Sequence, residues 1–402
     1  MPAPWRLWLS GRFAFAHYGF PFSLRIPTTP VARLRALGFR ARSTSRNPLK
    51  RWLKRTAMMM AWPIGAFFDA LRDARAIATA DSRVRLVTTL FDIYVLALTR
   101  NIPPLEYKLY RLHEPTARAD MFQYLYWNDL AALAALNARR GAENRDVQDK
   151  HCFADICARH GLPHVPTFAV FDRGRQIAPD RPFAPEQSRL FVKHLRGRGS
   201  MGAERWTREG NCFRNTQAVA VPAVDLAERL RGSDCIVQPC LDNHSSLATL
   251  TNGALACLRI VTGIDRAGQA EFIWAMLILP FGTLKSSTTG IICRVDPKTG
   301  TITRALNIWT ERDIADHPDT GAALIGFAVP FWRESVALAT QAHALAFRRF
   351  FSLGWDVALT DTGPVLLETN AGWGALHHQI LDGPIGRTVF SRLVEEELNR
   401  CG

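Results

Sequence analysis

Asp356, Glu368 and Asn370 have the types and spacing to hold a divalent cation. They lie in Gly354-Trp-Asp-Val-Ala-Leu-Thr-Asp-Thr-Gly-Pro-Val-Leu-Leu-Glu-Thr-Asn370. The pattern reads as two strands, 354–360 and 364–370, joined by Asp361-Thr362-Gly363, residues that tolerate a tight turn. A register symmetric about Thr362 sets Asp356 opposite Glu368. Alternation along the strand then places Asn370 on the face of Glu368. Val357, Leu359, Val365 and Leu367 face or flank a core. Two carboxylates and an amide supply hard oxygen ligands suited to Mg²⁺, or to Mn²⁺. Mg²⁺ takes one or two carboxylates together with substrate phosphates. Taken in isolation, the same residues also describe an edge hairpin with solvated acids.

A second set lies upstream. Arg196-Gly-Arg-Gly-Ser-Met-Gly202 spells Gly-x-Gly-x-x-Gly at Gly197, Gly199 and Gly202. Glycines let backbone N–H groups approach phosphate oxygens closely, and Arg196, Arg198 and Ser200 add donors. Lys193, in Phe191-Val-Lys-His194, stands just before this loop, where an ammonium can hold α- and β-phosphates; the plainer alternative is a solvated strand lysine. A nicotinamide site needs an amphipathic helix after the loop and an acid about 20 residues on. Residues 203–216 are instead polar, with β character and Gly210. There is no Gly-x-x-x-x-Gly-Lys-Ser/Thr loop, and no Ser/His/Asp or Cys/His constellation asks for a protein nucleophile.

These residues need strands to carry them, and the second half of the chain supplies the pattern. Strands are expected over 166–171, 189–195, 235–241, 254–264, 271–279, 291–295 and 301–305. Pro239 marks its strand as an edge or as ending there. Helices are expected over 150–160, 332–351 and 384–400. Before residue 145 the texture is helical. Ala57–Phe68 and Leu86–Leu98 are apolar runs too short to span a bilayer, and they read as buried helices. The organisation expected is a basic tail over 1–56, a helical region over 57–144, and a domain over 145–402 with lobes of about 145–240 and 241–402.

Charge separates the tail from the rest. Net charge is +14, yet twelve Lys and Arg precede the first acid, Asp69, leaving 38 basic and 36 acidic residues beyond it. The body of the protein is near neutral, which argues against nucleic acid as a partner. The tail mixes Trp5, Trp8, Phe13, Phe15 and Phe20 with arginines, as a segment resting on an anionic membrane surface would. A disordered or mis-started tail, or an organelle transit peptide, has the same composition. The eight cysteines form no Cys-x-x-Cys pair and no zinc spacing. A reducing cytoplasmic setting fits them, with the inner membrane face as a further option.

Asp149-Lys150, Phe191-Val-Lys193, the glycine loop, Ile236-Val-Gln-Pro239, Leu258-Arg-Ile-Val-Thr262, Gly354-Trp-Asp356 and Leu367-Glu-Thr-Asn370 occur in that order. In order and spacing the chain resembles the ATP-grasp superfamily, in particular its sugar-transfer-associated branch, over about residues 145–395. The resemblance implies an α+β fold, with two α+β lobes of antiparallel sheet gripping Mg-ATP and a helical region before them. It implies that Lys150 and Lys193 contact phosphates, that Gly197, Gly199, Ser200 and Gly202 cover them, and that Gln238 lies in the strand holding adenine. Arg259 would face the γ-phosphate or an acyl phosphate. Asp356, Glu368 and Asn370 would hold Mg²⁺. The implied activity is an ATP-dependent carboxylate–amine ligase on a small-molecule or saccharide-linked substrate. A phosphotransferase, or a non-catalytic nucleotide-binding protein at a membrane, are the alternatives. Lys285 and Trp373 are secondary candidates with equally good structural readings, and the pair His377-His378 is a further one, although a tandem His at a helix start is more often structural.

Overall fold

The computed structural model describes residues 29–41, 48–180, 183–197, 203–282 and 290–400. Gly199, Ser200, Gly202 and Lys285 therefore lie outside the described residues, as does the tail before residue 29. The chain divides into two compact units, Met1–Arg139 with Gly374–Gly402, and Arg140–Trp373.

The first unit is helical: α1 (Pro30–Ala41), α2 (Pro48–Ala80), α3 (Leu86–Arg100), α4 (Pro104–Leu109), α5 (Pro115–Ala119) and α6 (Leu130–Arg139). Helix α2 runs without a break through residues 56 and 57. It buries Trp62, Ala66, Ala70, Ala74 and Ile77, spaced three or four apart, and α3 buries Ile93, Leu96 and Ala97. One face of each helix is thus core, as an amphipathic helix requires. The apolar runs are not buried helices all round, however: Ile64, Phe67, Phe68, Val87 and Phe91 are exposed. Asp92 on α3 is held by both terminal nitrogens of Arg118, at 2.7 Å each, and by the Tyr107 hydroxyl at 2.7 Å.

The second unit holds two seven-stranded sheets. After α7 (Arg145–Gln148) and α8 (Lys150–Arg159) come β1 (Ala169–Asp172), β2 (Arg175–Ala178), β3 (Arg189–His194), β4 (Glu204–Glu209), β5 (Cys212–Asn215), β6 (Ala220–Pro222), α9 (Leu226–Arg231) and β7 (Cys235–Pro239). These strands form the first sheet, in the order β2-β1-β7-β3-β4-β5-β6. Strand β7 lies between β1 and β3, so Pro239 ends a central strand and does not mark an edge. The residues after the glycine loop form the β4–β5 hairpin, turning at Gly210 with φ +59°.

The second sheet follows: β8 (Cys257–Ile264), β9 (Ala270–Leu279), β10 (Ile291–Val295), β11 (Ile302–Asn307), β12 (Arg312–Asp313), α10 (Trp332–Ala346), β13 (Ser352–Thr360) and β14 (Gly363–Asn370). Its order is β12-β11-β10-β9-β8-β13-β14, and its pairings are antiparallel. Helix α10 packs on one face, where Leu258, Ile260, Trp355, Val357 and Leu359 join Leu338 and Ala342 in a single core. The first unit then closes with α11 (Leu376–Asp382) and α12 (Val389–Arg400). On α11, Gln379 accepts from the Leu125 N–H and donates to the Tyr110 hydroxyl and the Leu125 carbonyl.

A buried polar chain runs through the core of the second sheet. Trp355 Nε1 donates to Thr262 Oγ1 at 2.8 Å, Thr262 Oγ1 lies 2.7 Å from His343 Nδ1, and His343 Nε2 lies 3.0 Å from the Phe350 carbonyl. Each group is satisfied if His343 is neutral with its proton on Nε2. Burial enforces this by pushing the His343 pKa from 6.5 down to about 3. The unfolded chain binds this proton near 6.5 and the folded chain does not. The stability it confers is therefore fully present above 6.5 and is lost as pH falls toward 3. Denaturant titrations down this range should show a shallower acid slope for His343→Gln than for the wild type. Thr262→Val should cost about 2–4 kcal/mol, because two buried partners lose their hydrogen bond. Identical acid slopes would refute the role given to His343.

Candidate nucleotide and metal site

The β13–β14 hairpin sets Asp356 opposite Glu368, but by a different route from a symmetric ladder. The turn has two residues, Asp361-Thr362, with Thr360 paired to Gly363. That register runs to Val357 opposite Leu366, and continued unbroken it would set Asp356 against Leu367. A bulge between Asp356 and Val357 takes up Leu367 and restores Asp356 to Glu368, with Gly354 opposite Asn370. A bulge of this kind re-aims the side chains beyond it. It also corrects the expected core face: Leu366 is fully buried there, while Val365 and Leu367 are half-buried.

On its other side, β13 pairs with β8, and Asp356 lies opposite Arg259. Arg259 donates through Nε to Oδ1 at 2.7 Å and through Nη2 to Oδ2 at 2.8 Å, a two-pronged bond between largely buried side chains. Burial opposes the guanidinium charge, but Asp356 more than offsets it, and the pKa of Arg259 lies above its ordinary value. Cys257, two residues earlier and on the same face, is held well above the usual thiol range by burial and by the Asp356 carboxylate. Asn370 Nδ2 reaches Glu368 Oε1 at 3.5 Å. Gly354 must be glycine, because a Cβ there would sit 2.3 Å from Cβ of Trp373. Trp373 is buried and donates to Ser352 Oγ at 3.1 Å, which settles it as packing.

The first sheet brings cations to these carboxylates. Along β3, Leu190 and Val192 enter that sheet's core, and alternation turns Lys193 to the opposite face. Burial pushes the Lys193 pKa down to about 8, against an upward pull from Glu368 and Asp356 and a downward one from Lys150. Lys193 therefore shares an electrostatic environment with all three. His194 points away from this face and is exposed.

Lys150 is positioned by its neighbours. Asp149 caps α8, accepting from the His151 and Cys152 N–H groups at 3.0 and 3.2 Å. Arg196 donates to Asp149 at 2.9 Å and grips Asp172 with both terminal nitrogens. The Lys150 backbone N–H bonds Leu195 O, and its Nζ donates to the Gly197 carbonyl at 3.2 Å. Arg196 is thus occupied by two carboxylates rather than offered to a phosphate. A cleft lined by Gln148, Lys150, Gly197, Glu368, Asn370 and Gly372 opens between these parts. Gln238 is buried, and its amide donates to the Val165 carbonyl at 3.3 Å, so its side chain braces the backbone.

The structure brings Lys150, Lys193, Gly197, Arg259, Asp356, Glu368 and Asn370 into one region of one unit. His378 is buried on α11, in the helical unit. Spacing did not reveal Gln148, the Arg196 ion pairs or Cys257; the last had a signal in its position two residues before Arg259. Among the described residues no group of three or more His, Cys, Asp and Glu gathers as a metal site. The hairpin offers two carboxylates and an amide instead. That donor set fits Mg²⁺, which completes its shell with phosphate oxygens and water. Asp356 would serve such an ion while shared with Arg259.

Two antiparallel sheets, with Lys193 on one and Asp356 and Glu368 on the other, are the arrangement of the ATP-grasp class. The family described as sugar-transfer associated ATP-grasp matches residues 133–393, and this chain belongs to it. No curated protein matches. Among solved structures, the chain is similar to an L-amino acid ligase from Bacillus licheniformis at 13% identity, covering 66% of this chain and 53% of that one, with a TM-score of 0.37. It is also similar to N5-carboxyaminoimidazole ribonucleotide synthetase from Thermotoga maritima, at 12% identity over 63% of this chain and 50% of that one, TM-score 0.35. A D-alanine–D-alanine ligase from Bacillus anthracis gives 11% identity over 63% and 68%, TM-score 0.33. The chain spans about half the length of the first two, and likeness at this level carries none of their activities over.

Lys193 gives a direct test. Its ammonium is charged below about 8 and neutral above. Calorimetric affinity for ATP should be high below that pH and fall as pH rises through it. Lys193→Arg should flatten the profile, and Lys193→Met should weaken binding by about tenfold to a hundredfold below that pH, the two proteins converging above it. Wild-type affinity in Lys193→Met would remove Lys193 from the site.

Proposed function

We propose that this chain is an Mg-ATP-dependent ligase that activates a carboxylate as an acyl phosphate and joins it to an amine or similar nucleophile. The observation that carries the reading is the Arg259–Asp356–Glu368 row on one sheet, with Asp356 and Glu368 within the electrostatic reach of Lys193 and with Lys150 lining the same cleft as Glu368. Anionic phosphates need that cationic surround, and the ion that accompanies them needs those carboxylates.

In the first step a substrate carboxylate oxygen bonds to the γ-phosphorus, and the bond from that phosphorus to the bridging oxygen of ADP breaks, ADP leaving with the electron pair. In the second, the amine attacks the acyl carbon, phosphate departs, and the amine proton passes to solvent. Two anions must meet, so catalysis rests on alignment and charge neutralisation. Lys150 and Lys193 would bind ATP phosphates, and Arg259 would take up charge on the transferred group. Asp356, Glu368 and Asn370 would hold Mg²⁺, whose chemistry is to neutralise and orient phosphate oxygens. The glycine loop after Gly197 would cover the nucleotide, with the backbone around Gln238 beside adenine. The family description favours a small-molecule or saccharide-linked acceptor. The seven cysteines among the described residues are free thiols, at home in a reducing cytoplasm.

With ATP, Mg²⁺ and a panel of carboxylates, hydroxylamine should trap a hydroxamate as ADP is released. ADP release without hydroxamate, together with a phosphorylated acceptor, would instead define a phosphotransferase. Glu368→Ala should lower ADP release by at least about a hundredfold while leaving the thermal melt near that of the wild type. Unchanged turnover in that variant would overturn the metal assignment.

A further inference from the structure

Exposed large apolar side chains are not spread evenly over this protein. Of twelve among the described residues, six lie on α2 and α3 of the helical unit: Ile64, Phe67, Phe68, Leu86, Val87 and Phe91. Phe68 is 56% exposed, Ile64 62%, Phe91 70% and Val87 76%. Ile64, Phe67 and Phe68 share the outer side of α2, and an aromatic contact carries that surface to α3. Phe67 meets Phe68 with ring centroids 5.9 Å apart and meets Tyr94 of α3 edge-on at 5.7 Å, one turn from Phe91. A contiguous exposed apolar patch marks an interaction surface.

Charge selects the partner. On a regular helix, positions 64, 68 and 75 of α2 fall within about 40° of one another. The outer stripe therefore runs from Ile64 and Phe68 to the exposed Arg75. In sequence the same helix opens with Lys50-Arg51 and Lys54-Arg55, and it follows a stretch with many arginines; no acid occurs before Asp69. The carboxylates of α2, α3 and their connection are each in an ion pair: Asp69 and Asp73 with Arg72, Asp81 with Arg83, Asp92 with Arg118. Asp69 and Asp73 share that one guanidinium and are buried, while Arg75 and Arg85 are exposed. Among the described residues no helix is long and apolar enough to cross a membrane.

We propose that the α2–α3 ridge seats the helical unit on an anionic lipid surface, with Ile64, Phe67, Phe68 and Phe91 entering the headgroup–acyl boundary and Arg75 and Arg85 meeting lipid headgroups. Apolar burial with attraction to anionic lipid is the basis of interfacial helix binding, and neither alone holds a protein stably. The proposal is independent of the ligase reading, so each stands or fails separately.

The test is flotation of the full chain with vesicles of phosphatidylcholine containing phosphatidylglycerol, against vesicles of phosphatidylcholine alone. Phe68→Ser with Phe91→Ser alters exposed positions and leaves every basic residue in place. Wild type should float with the anionic vesicles and less so at high salt, and the double variant should partition about tenfold more weakly. Thermal melting and ATP affinity of the variant should match wild type, showing that the fold survives. Failure of the wild type to float, or equal flotation of the variant, would overturn the proposal. So would a wild-type dimer that becomes monomeric in the variant without any vesicle binding, because a second copy would then cover the ridge.

Discussion

A guanidinium and a carboxylate face each other across β8 and β13, both largely removed from water, and the candidate site depends on that pair. Each ion would be costly to bury alone, and removing either leaves the other stranded. The cost is tolerable because the geometry is two-pronged and the pair lies on the sheet face opposite the core. Leu258 and Ile260 flank Arg259 in sequence, Trp355 and Val357 flank Asp356, and all four enter the α10 core. Sliding β8 against β13 by one residue would drive an arginine into that core and a leucine out of it. The apolar face therefore fixes the register, and the register delivers the ion pair. In return, Asp356 is held in place, as the proposed ligand role requires, before any cation arrives. In the proposed reaction the remaining N–H groups of Arg259 would take a phosphoryl oxygen.

The hairpin shows what spacing can and cannot reveal. A three-residue turn with a regular ladder and a two-residue turn with a bulge give the same Asp356–Glu368 pairing. Only the second is present, so the pairing was legible while the backbone that makes it was not. The difference is felt at residues 365–367. Alternation from a symmetric turn assigns Val365 and Leu367 to the core, but the bulge gives that place to Leu366. Nothing in the local composition marks a bulge, because the extra residue is an ordinary leucine. Its position is set by what lies beyond it, where Glu368 and Asn370 must turn toward the cleft.

Long-range ion pairs were the other blind spot. Arg196, beside the glycine loop, reads as a phosphate donor until Asp149 and Asp172 are seen to hold it. Those carboxylates come from the cap of α8 and the end of β1, 47 and 24 residues away in sequence. Held this way, Arg196 ties the start of α8 to the end of β3, which sets Lys150 beside Gly197. Gln238 is similar. Its place on β7 was legible, but its amide is engaged by the Val165 carbonyl, and only the backbone near it remains to meet a base.

The helical unit raises the reverse problem, because its apolar runs were legible and their burial was not. Helix α3 is apolar on nearly every side, so periodicity does not distinguish its core face from its outer one. Such a helix is ordinarily buried or placed in lipid. Helix α2 does carry a clear inner stripe of Trp62, Ala66, Ala70 and Ala74, and small residues there let the two helices approach. The bulky residues are pushed outward as a consequence. Small residues within and phenylalanines outside invert the usual pattern of a water-facing helix, and the acid-free sequence leading into α2 gives that inversion a direction. Near-neutral charge beyond Asp69 suits a domain whose cations are committed to carboxylate partners and to the cleft. The excess of positive charge belongs to the end of the chain that carries the exposed ridge.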